Sequence, residues 1–429
     1  MSWLLLSVSA ACFAGVSWFA WEGRLGLPAI GLLLVSVAAF WAARRGMEVT
    51  TRKRVDLVAK IVFTIAGFVA LGRHRIEGEG GERLPLIEAM TRYLGEVDPG
   101  PFFAFAALAM SVKLLGVLLS ATGWHLMLLG QGIRFPFWRF TVTSFLIGRF
   151  IGTFLPSTVG LDGYTLYEAA RYSGQGPRAV TAKAAEKLLG LTGRAPGFLV
   201  ALPFGYPVLH GVMDSVGQGE RTPLLVGVVA TVLVLVVIGV AAMLLFPGLP
   251  QRLVHGIAAR AQGLGGPAAR VAGTLDRLAT AIGAYRGKVG LLSVAYVAKG
   301  LSSFCTWTVY YLTGLAIGVT GLAFWPVVFG SGIQEVGTLF SPTIAGEGVR
   351  EALQALLLSA QYGGPAQAVL AGALGFVAAE AATLWGGLFL YTRTDSWRPA
   401  SCEVDGAQVD YAWLAEGGAG VGVPDPRAG

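Results

Sequence analysis

Lys113, Arg149 and Lys299 are cations set inside long apolar stretches of this sequence. An ionisable group at bilayer depth is costly, and is normally either paired or functional. Three cations brought together from distant parts of one chain would suit a phosphate or another anionic headgroup. Acidic residues accompany them. Asp162 and Glu186 follow Arg149, while Glu335, Glu347 and Glu351 follow Lys299, with Arg350 beside the last. These carboxylates would gate the site or balance its charge. Glu380, Lys187 and Arg194 are further ionisable groups in the same stretches. Internal salt bridging is the competing reading, strongest for Glu186 with Lys183 one helical turn away. Lys187 could instead snorkel to the interface, and His125 reads as a satisfied interior histidine.

The surroundings of these residues indicate a membrane. The chain has 429 residues, 54% of them hydrophobic and 13% charged. A soluble protein carries about 25% charged residues, so a multi-pass membrane protein is expected. The three cysteines, Cys12, Cys305 and Cys402, are too far apart for a metal-ligand motif, and the four histidines are equally scattered. No metal, haem or other cofactor is implied. The net charge of +7 is read as cytoplasmic loop charge, not as a nucleic-acid surface.

Eight apolar spans are expected to cross the bilayer as helices: 3–21, 25–43, 55–72, 101–129, 180–205, 223–246, 289–318 and 365–392. Five basic residues in 44–54 place that loop, and with it the N-terminus, in the cytoplasm. The loop 73–100 should be external. Within 247–288, Val271, Leu275, Leu278 and Ile282 share one helical face, which fits either a surface helix or a soluble linker. Parity then requires two stretches, 138–170 and 322–362, to enter the membrane and leave on the side they came from. Their turns are similar: GTFLPSTVG at 152–160 and GTLFSPTIAG at 337–346. Pro156 and Pro342 break the helical ladder. Gly152, Gly160, Gly337 and Gly346 permit tight turns and close approach.

Further matches extend the repeat. Lys113 lies 39 residues before Gly152, and Lys299 lies 38 before Gly337. GQGPRAV at 174–180 echoes GGPAQAV at 363–369, and Glu186 and Glu380 each follow in the closing helix. The expected fold is therefore an all-α integral membrane protein with about eight transmembrane helices and two re-entrant hairpins in an inverted repeat. Repeats 101–205 and 289–392 are joined by helix 223–246, in a plan common among transporters. Residues 1–100 form an N-terminal three-helix segment with an external loop, 101–393 the repeat domain, and 394–429 a disordered tail dispensable for folding and transport.

The stretch FLPSTVGLDGYTLYEAARYSGQGPRAVTAKAAEKLLGL (154–191) resembles the first signature of the lysylphosphatidylglycerol synthase/flippase transmembrane domain family. FSPTIAGEGVREALQALLL (340–358) resembles its second, with a Gly-x-Gly-Val-Arg-Glu core at Gly346 to Glu351. Gly160-Leu161-Asp162 matches the start of the first motif. Tyr164 or Thr165 stands where the family has arginine, and Glu186-Lys187 where it has Glu-Arg. The resemblance covers roughly residues 100–393. It implies re-entrant hairpins and movement of lipids or lipid-linked precursors between leaflets. Members that also make aminoacylated lipid carry a large soluble domain after the membrane part, whereas 36 residues follow Arg393 here. No synthase or other enzyme activity is expected.

The expected substrate is a membrane lipid or lipid-linked anion, in a multi-pass protein of the inner membrane with both termini cytoplasmic, as a monomer or a homo-oligomer. The alternative is a membrane-embedded transferase using a lipid-linked sugar. Such an enzyme would draw on Glu77, Glu79, Glu82, Glu88, Glu96 and Asp98 in the external loop, although that loop reads equally as a solvated linker. A structural scaffold is a weaker third reading.

Overall fold

The computed structural model describes residues 83–154, 159–215, 217–245, 287–339, 348–392 and 401–410, together with 75–77, 285 and isolated positions between 5 and 55. Pro156, Pro342, Gly346 and Glu347 lie outside the described residues. So do most of the first three expected spans and of 247–288. Ser9 and Ser36, from the first two apolar stretches, each donate a hydroxyl to the other's carbonyl at 2.9 and 2.8 Å.

The described chain opens with a short hairpin, β1 (Arg75–Glu77) and β2 (Arg83–Pro85), leading into α1 (Leu86–Gly95). Helix α2 (Pro99–Gly130) starts on Asp98, whose carboxylate accepts from the Gly100 amide at 2.9 Å, with proline in the first turn. It ends in a turn where Gly132 takes φ +76°. Then follow β3 (Ile133–Arg134), a π-helical segment (Phe137–Val142), α3 (Thr143–Phe154), α4 (Val159–Ser173), α5 (Gly176–Thr192), α6 (Ala195–Ser215) and α7 (Thr222–Leu245). The same succession recurs from a second long helix, α8 (Val289–Ala316). Helices α9 (Phe324–Leu339) and α10 (Val349–Tyr362) form a pair, followed by α11 (Pro365–Ala381) and α12 (Trp385–Thr392).

Five helical stretches are long and apolar enough to cross a membrane: Pro99–Gly130, Gly176–Ser215, Gly219–Ala242, Val289–Ala316 and Pro365–Thr392. They coincide with five of the eight expected spans, and the protein is a helical membrane protein. Two spans are broken where one helix was expected. Gly193 and Arg194 separate α5 from α6, and Ala382 to Leu384 separate α11 from α12. The break at Gly193 has a packing reason. A Cβ on Gly300 would lie 2.7 Å from the Gly193 carbonyl oxygen, so α8 crosses the α5–α6 joint at backbone contact.

Helices α2 and α8 run antiparallel along each other. Bonds between them link Lys113 with Thr306, Gly116 with Ser302 and Ser120 with Lys299, so residue number rises on one helix as it falls on the other. Among the described residues apolar packing forms two large clusters and two small ones. The first large cluster gathers Trp124, Met127, Phe135 and Phe140 with the alanines of α5, and the second Phe198, Trp307, Phe329, Leu358 and Tyr362. Along α8 the polar residues Lys299, Ser302, Ser303 and Thr306 lie between Ala295 of the first cluster and Trp307 of the second.

The first hairpin phrase closes tightly. A Cβ on Gly160 would lie 2.4 Å from the Gly152 Cα, so the first and last glycines of GTFLPSTVG touch. Only hydrogen at these positions lets α3 and α4 meet so closely.

The tail corrects its expectation. Residues 394–429 read as disordered, yet β4 (Ser401–Val404) and β5 (Ala407–Asp410) form an antiparallel hairpin. Strand β4 also pairs with β3, placing Ile133 opposite Val404 and Arg134 opposite Glu403. Asp405 and Gly406 both have positive φ, 50° and 86°, which is the two-residue turn that Asp-Gly favours. Cys402 and Val404 are buried in the first cluster. Asp405 pairs with Arg178 of α5 at 2.6 Å, and the Asp405 amide donates to the Gly132 carbonyl at 2.9 Å. The small sheets also qualify the all-α description, outside the spanning helices.

Candidate functional site

Lys113 lies near the middle of α2 and Lys299 near the middle of α8. Each stands where its helix faces the other and where α3, α5 and α9 close in. A cavity of about 550 Å³ opens there. Seven expected site residues line it: Lys113, Arg149, Asp162, Glu186, Lys299, Glu335 and Arg350. Lys187, Arg194 and Glu380 line it as well, giving six cations against four carboxylates among the described residues. The wall therefore carries an excess of two positive charges.

The carboxylates are heavily engaged. Glu186, 4% exposed, accepts from both Lys299 and Lys183, the latter at 2.6 Å. Lys183 also sits 3.8 Å from the centre of the Trp124 ring. The expected ion pair thus exists, and it is shared with the second long helix. Asp162 pairs with Lys187 and lies 3.9 Å from Lys183. Glu335 meets Arg194 at 3.2 Å and accepts from the Trp307 indole at 2.7 Å. Glu380 meets Arg149 at 3.7 Å and accepts from Thr153. Three of these contacts, Lys299–Glu186, Arg194–Glu335 and Arg149–Glu380, join residues from opposite halves of the chain.

The cations are less completely satisfied. Lys113, 7% exposed, donates to the Thr306 hydroxyl at 3.1 Å and has no carboxylate partner among the described residues. Lys299 has both Glu186 and Ser120, the latter at 2.8 Å. The Nε of Arg149 and one terminal nitrogen of Arg194 are buried without an acceptor. Burying a donor without an acceptor costs about 1–3 kcal/mol, more for a charged group. Lys113, Arg149 and Arg194 therefore present spare donor capacity to the cavity they line. An oxyanion with several acceptor oxygens matches that capacity.

Comparison with known protein families, with curated proteins and with solved structures finds no match.

Of the two remaining expected residues, Glu351 alone is described. Glu351 does not line the cavity. One of its oxygens accepts from the Gly348 amide at 2.7 Å and the other from Arg350 at 2.6 Å, so it caps α10 and holds the arginine. The Arg350 guanidinium also lies 4.1 Å from the centre of the Phe376 ring. Glu347 lies outside the described residues. His125 bonds to Thr141 at 3.0 Å, as an interior histidine should. In the 73–100 region Glu88 pairs with Arg92 at 3.1 Å on exposed α1. Among the described residues no three of His, Cys, Asp and Glu gather as metal ligands.

Sequence reading passed over the hydroxyls. Lys299, Ser302, Ser303, Thr306 and Tyr310 all line the cavity, and their spacing of three and four marks one helical face. Lys113, Gly116, Val117 and Ser120 repeat that pattern on α2. It also missed Glu168, 3% exposed on α4, which accepts from Ser144 of α3 at 2.8 Å and ties the first hairpin together.

Proposed function

We propose that this protein moves an anionic lipid, or a lipid-linked precursor, between membrane leaflets through the cavity between its two halves. The observation that carries the reading is Lys113: a buried ammonium with no carboxylate partner among the described residues, halfway along a bilayer-length helix, in a cavity whose described wall has surplus positive charge. A phosphate on the cargo supplies the missing counter-charge. The Arg149 contact to Glu380 is long at 3.7 Å, and its Nε is unsatisfied. That side chain can therefore turn to the phosphate while Glu380 keeps Thr153. The resemblance of 154–191 and 340–358 to the lysylphosphatidylglycerol synthase/flippase transmembrane family points the same way.

The two halves are proposed to be inverted copies with re-entrant hairpins α3–α4 and α9–α10. Lys113 bonds a hydroxyl on α8, and Lys299 bonds a hydroxyl on α2. Such an exchange is what a two-fold axis in the membrane plane would produce. Alternating exposure then follows from one half rocking against the other, with the cross-half ion pairs opening and re-forming. Basic residues at 44–54 favour cytoplasmic termini.

Purified protein in vesicles carrying a fluorescent phosphatidylglycerol analogue tests the transport. The protein should accelerate leaflet exchange over empty vesicles, and Lys113→Met should abolish most of the gain. Equal exchange with and without protein for phosphatidylglycerol and for a polyprenyl phosphate would remove the reading. The inversion is tested separately. Single cysteines at 170 and 355 should react with impermeant maleimide from opposite sides of the membrane.

A further inference from the structure

A second concavity, about 700 Å³, lies on the flank of the molecule between α2, the π-helical segment, α3 and α12. Its walls are Leu114, Leu118, Val142, Leu146 and Phe389, with Trp138 and Trp385 at the surface, 66% and 55% exposed. The one hydroxyl here, Thr143, is used internally by the Trp138 carbonyl at 3.0 Å. The single charged residue is Arg139, exposed, with no ion pair or hydrogen bond among the described residues. It lies where the chain turns beyond the end of α2. A lone cation beside exposed tryptophan at the end of a spanning helix belongs at headgroup level. The leucines of α2 extend from it towards mid-helix.

We propose that this groove docks one anionic phospholipid, with its phosphate on Arg139 and one acyl chain laid over Leu118, Leu146 and Phe389. The surface faces outward from bilayer-length helices, so its natural solvent is lipid. Charge complementarity selects the headgroup: a zwitterionic lipid brings no net charge to an unpaired guanidinium. A second copy of this chain would need a carboxylate placed opposite Arg139. The groove also has a position that matters for transport, a point that rests on the lipid-carrier reading. Leu114 adjoins Lys113, and Leu146 adjoins Phe145, which lies four residues before Arg149. Lys113, Phe145 and Arg149 line the central cavity, so α2 and α3 are a shared wall. The docked lipid waits one helix away from the cavity, with its headgroup already bound to a cation.

Binding can be tested apart from transport. Delipidated full-length protein in detergent is titrated with dioleoylphosphatidylglycerol and, in parallel, dioleoylphosphatidylcholine, and bound lipids are counted by native mass spectrometry. The wild type should retain one phosphatidylglycerol that phosphatidylcholine does not replace. Arg139→Gln removes a charge-assisted contact and should weaken that lipid about tenfold. Leu118→Trp, which fills the groove but keeps Arg139, should weaken it too. Lys113→Met should keep it. Unfolding midpoints equal to wild type confirm that the variants are folded, and Arg139→Gln, at an exposed side chain, gives the decisive comparison if Leu118→Trp does not fold. Equal retention of both lipids, or no change in Arg139→Gln, overturns the proposal. So does loss of the lipid in Lys113→Met alone, which places it in the central cavity and leaves the carrier reading standing. A dimer dissociated by Leu118→Trp would assign the groove to a second copy instead.

Discussion

Lys113 and Lys299 each donate to a hydroxyl seven residues beyond the other: Lys113 to Thr306 at 3.1 Å, Lys299 to Ser120 at 2.8 Å. Their surroundings then diverge. Lys299 shares Glu186 with Lys183, whereas Lys113 has no carboxylate among the described residues. Substituting the two should give different results. Lys113→Met should lower lipid exchange and leave the unfolding midpoint in detergent near wild type. Lys299→Met leaves Glu186 to Lys183 alone and should destabilise by about 3 kcal/mol, the lower end for breaking a buried pair. Thermal unfolding and exchange measured on the same preparations check both.

Arg194–Glu335 and Arg149–Glu380 hold the halves of the chain together. In a double-mutant cycle, Arg194→Gln and Glu335→Gln should be non-additive by about 0.5–3 kcal/mol. The charge-swapped pair Arg194→Glu with Glu335→Arg should recover part of the stability lost by either reversal alone. Strict additivity in chemical unfolding would mean that this contact couples nothing.

Gly160→Ala should be severe, because its Cβ would sit 2.4 Å from the Gly152 Cα, a backbone atom that cannot step aside. A drop in folded yield by size-exclusion chromatography is the expected result. Gly176→Ala is the matched control, with nothing within 4 Å of the added methyl.

Truncation after Arg393 should destabilise, contrary to what the tail's composition suggests. It removes Cys402 and Val404 from the core, and burying one valine is worth about 1.5–3 kcal/mol. Asp405→Asn should matter much less. Its pair with Arg178 is solvent-exposed, and such pairs are worth about 0–1 kcal/mol. Unfolding midpoints of the truncated and substituted proteins rank the two effects.

Burial holds the Cys402 thiol well above its usual range, up to about 11. The folded chain therefore binds this proton more tightly than the unfolded chain does. The thiol's contribution to stability is full below the ordinary cysteine range near pH 8.5 and is lost as pH rises towards 11. At pH 8 maleimide should label Cys402 slowly in the intact protein. Val404→Lys should speed labelling by opening the hairpin, as followed by peptide mass spectrometry.

Much of the spanning part was legible, because bilayer thickness imposes a length on each apolar run. Lys113, Arg149, Glu186 and Lys299 were legible for a related reason: a charge inside such a run stands out against its surroundings. For Glu351 sequence shows that a carboxylate is present, while only geometry shows that its oxygens accept from Gly348 and from the cavity-lining Arg350. The β hairpin at 401–410 was overlooked although its signal was present. Asp405-Gly406 between Ser-Cys-Glu-Val and Ala-Gln-Val-Asp is a turn between alternating strands. The glycine-rich, acidic composition around it averaged that signal away. The π-helical segment has no counterpart in the hydrophobic pattern, since the residues around it are apolar whichever helix they adopt.

Among the described residues the cavity wall carries six cations and four carboxylates, and in a low-dielectric slab such an imbalance does not stand uncompensated. On the lipid-carrier proposal, mobile anions entering with water would meet that surplus between cargoes. The site would then act as a small fixed-charge ion exchanger, its resting occupant set by the salt around it. Chloride and inorganic phosphate would compete with a lipid headgroup for the same cations, so apparent affinity for cargo should fall as ionic strength rises. Screening weakens the attraction over about 10 Å at 0.1 M salt. The ionic composition of the compartment each mouth opens to would then help decide on which side cargo is released.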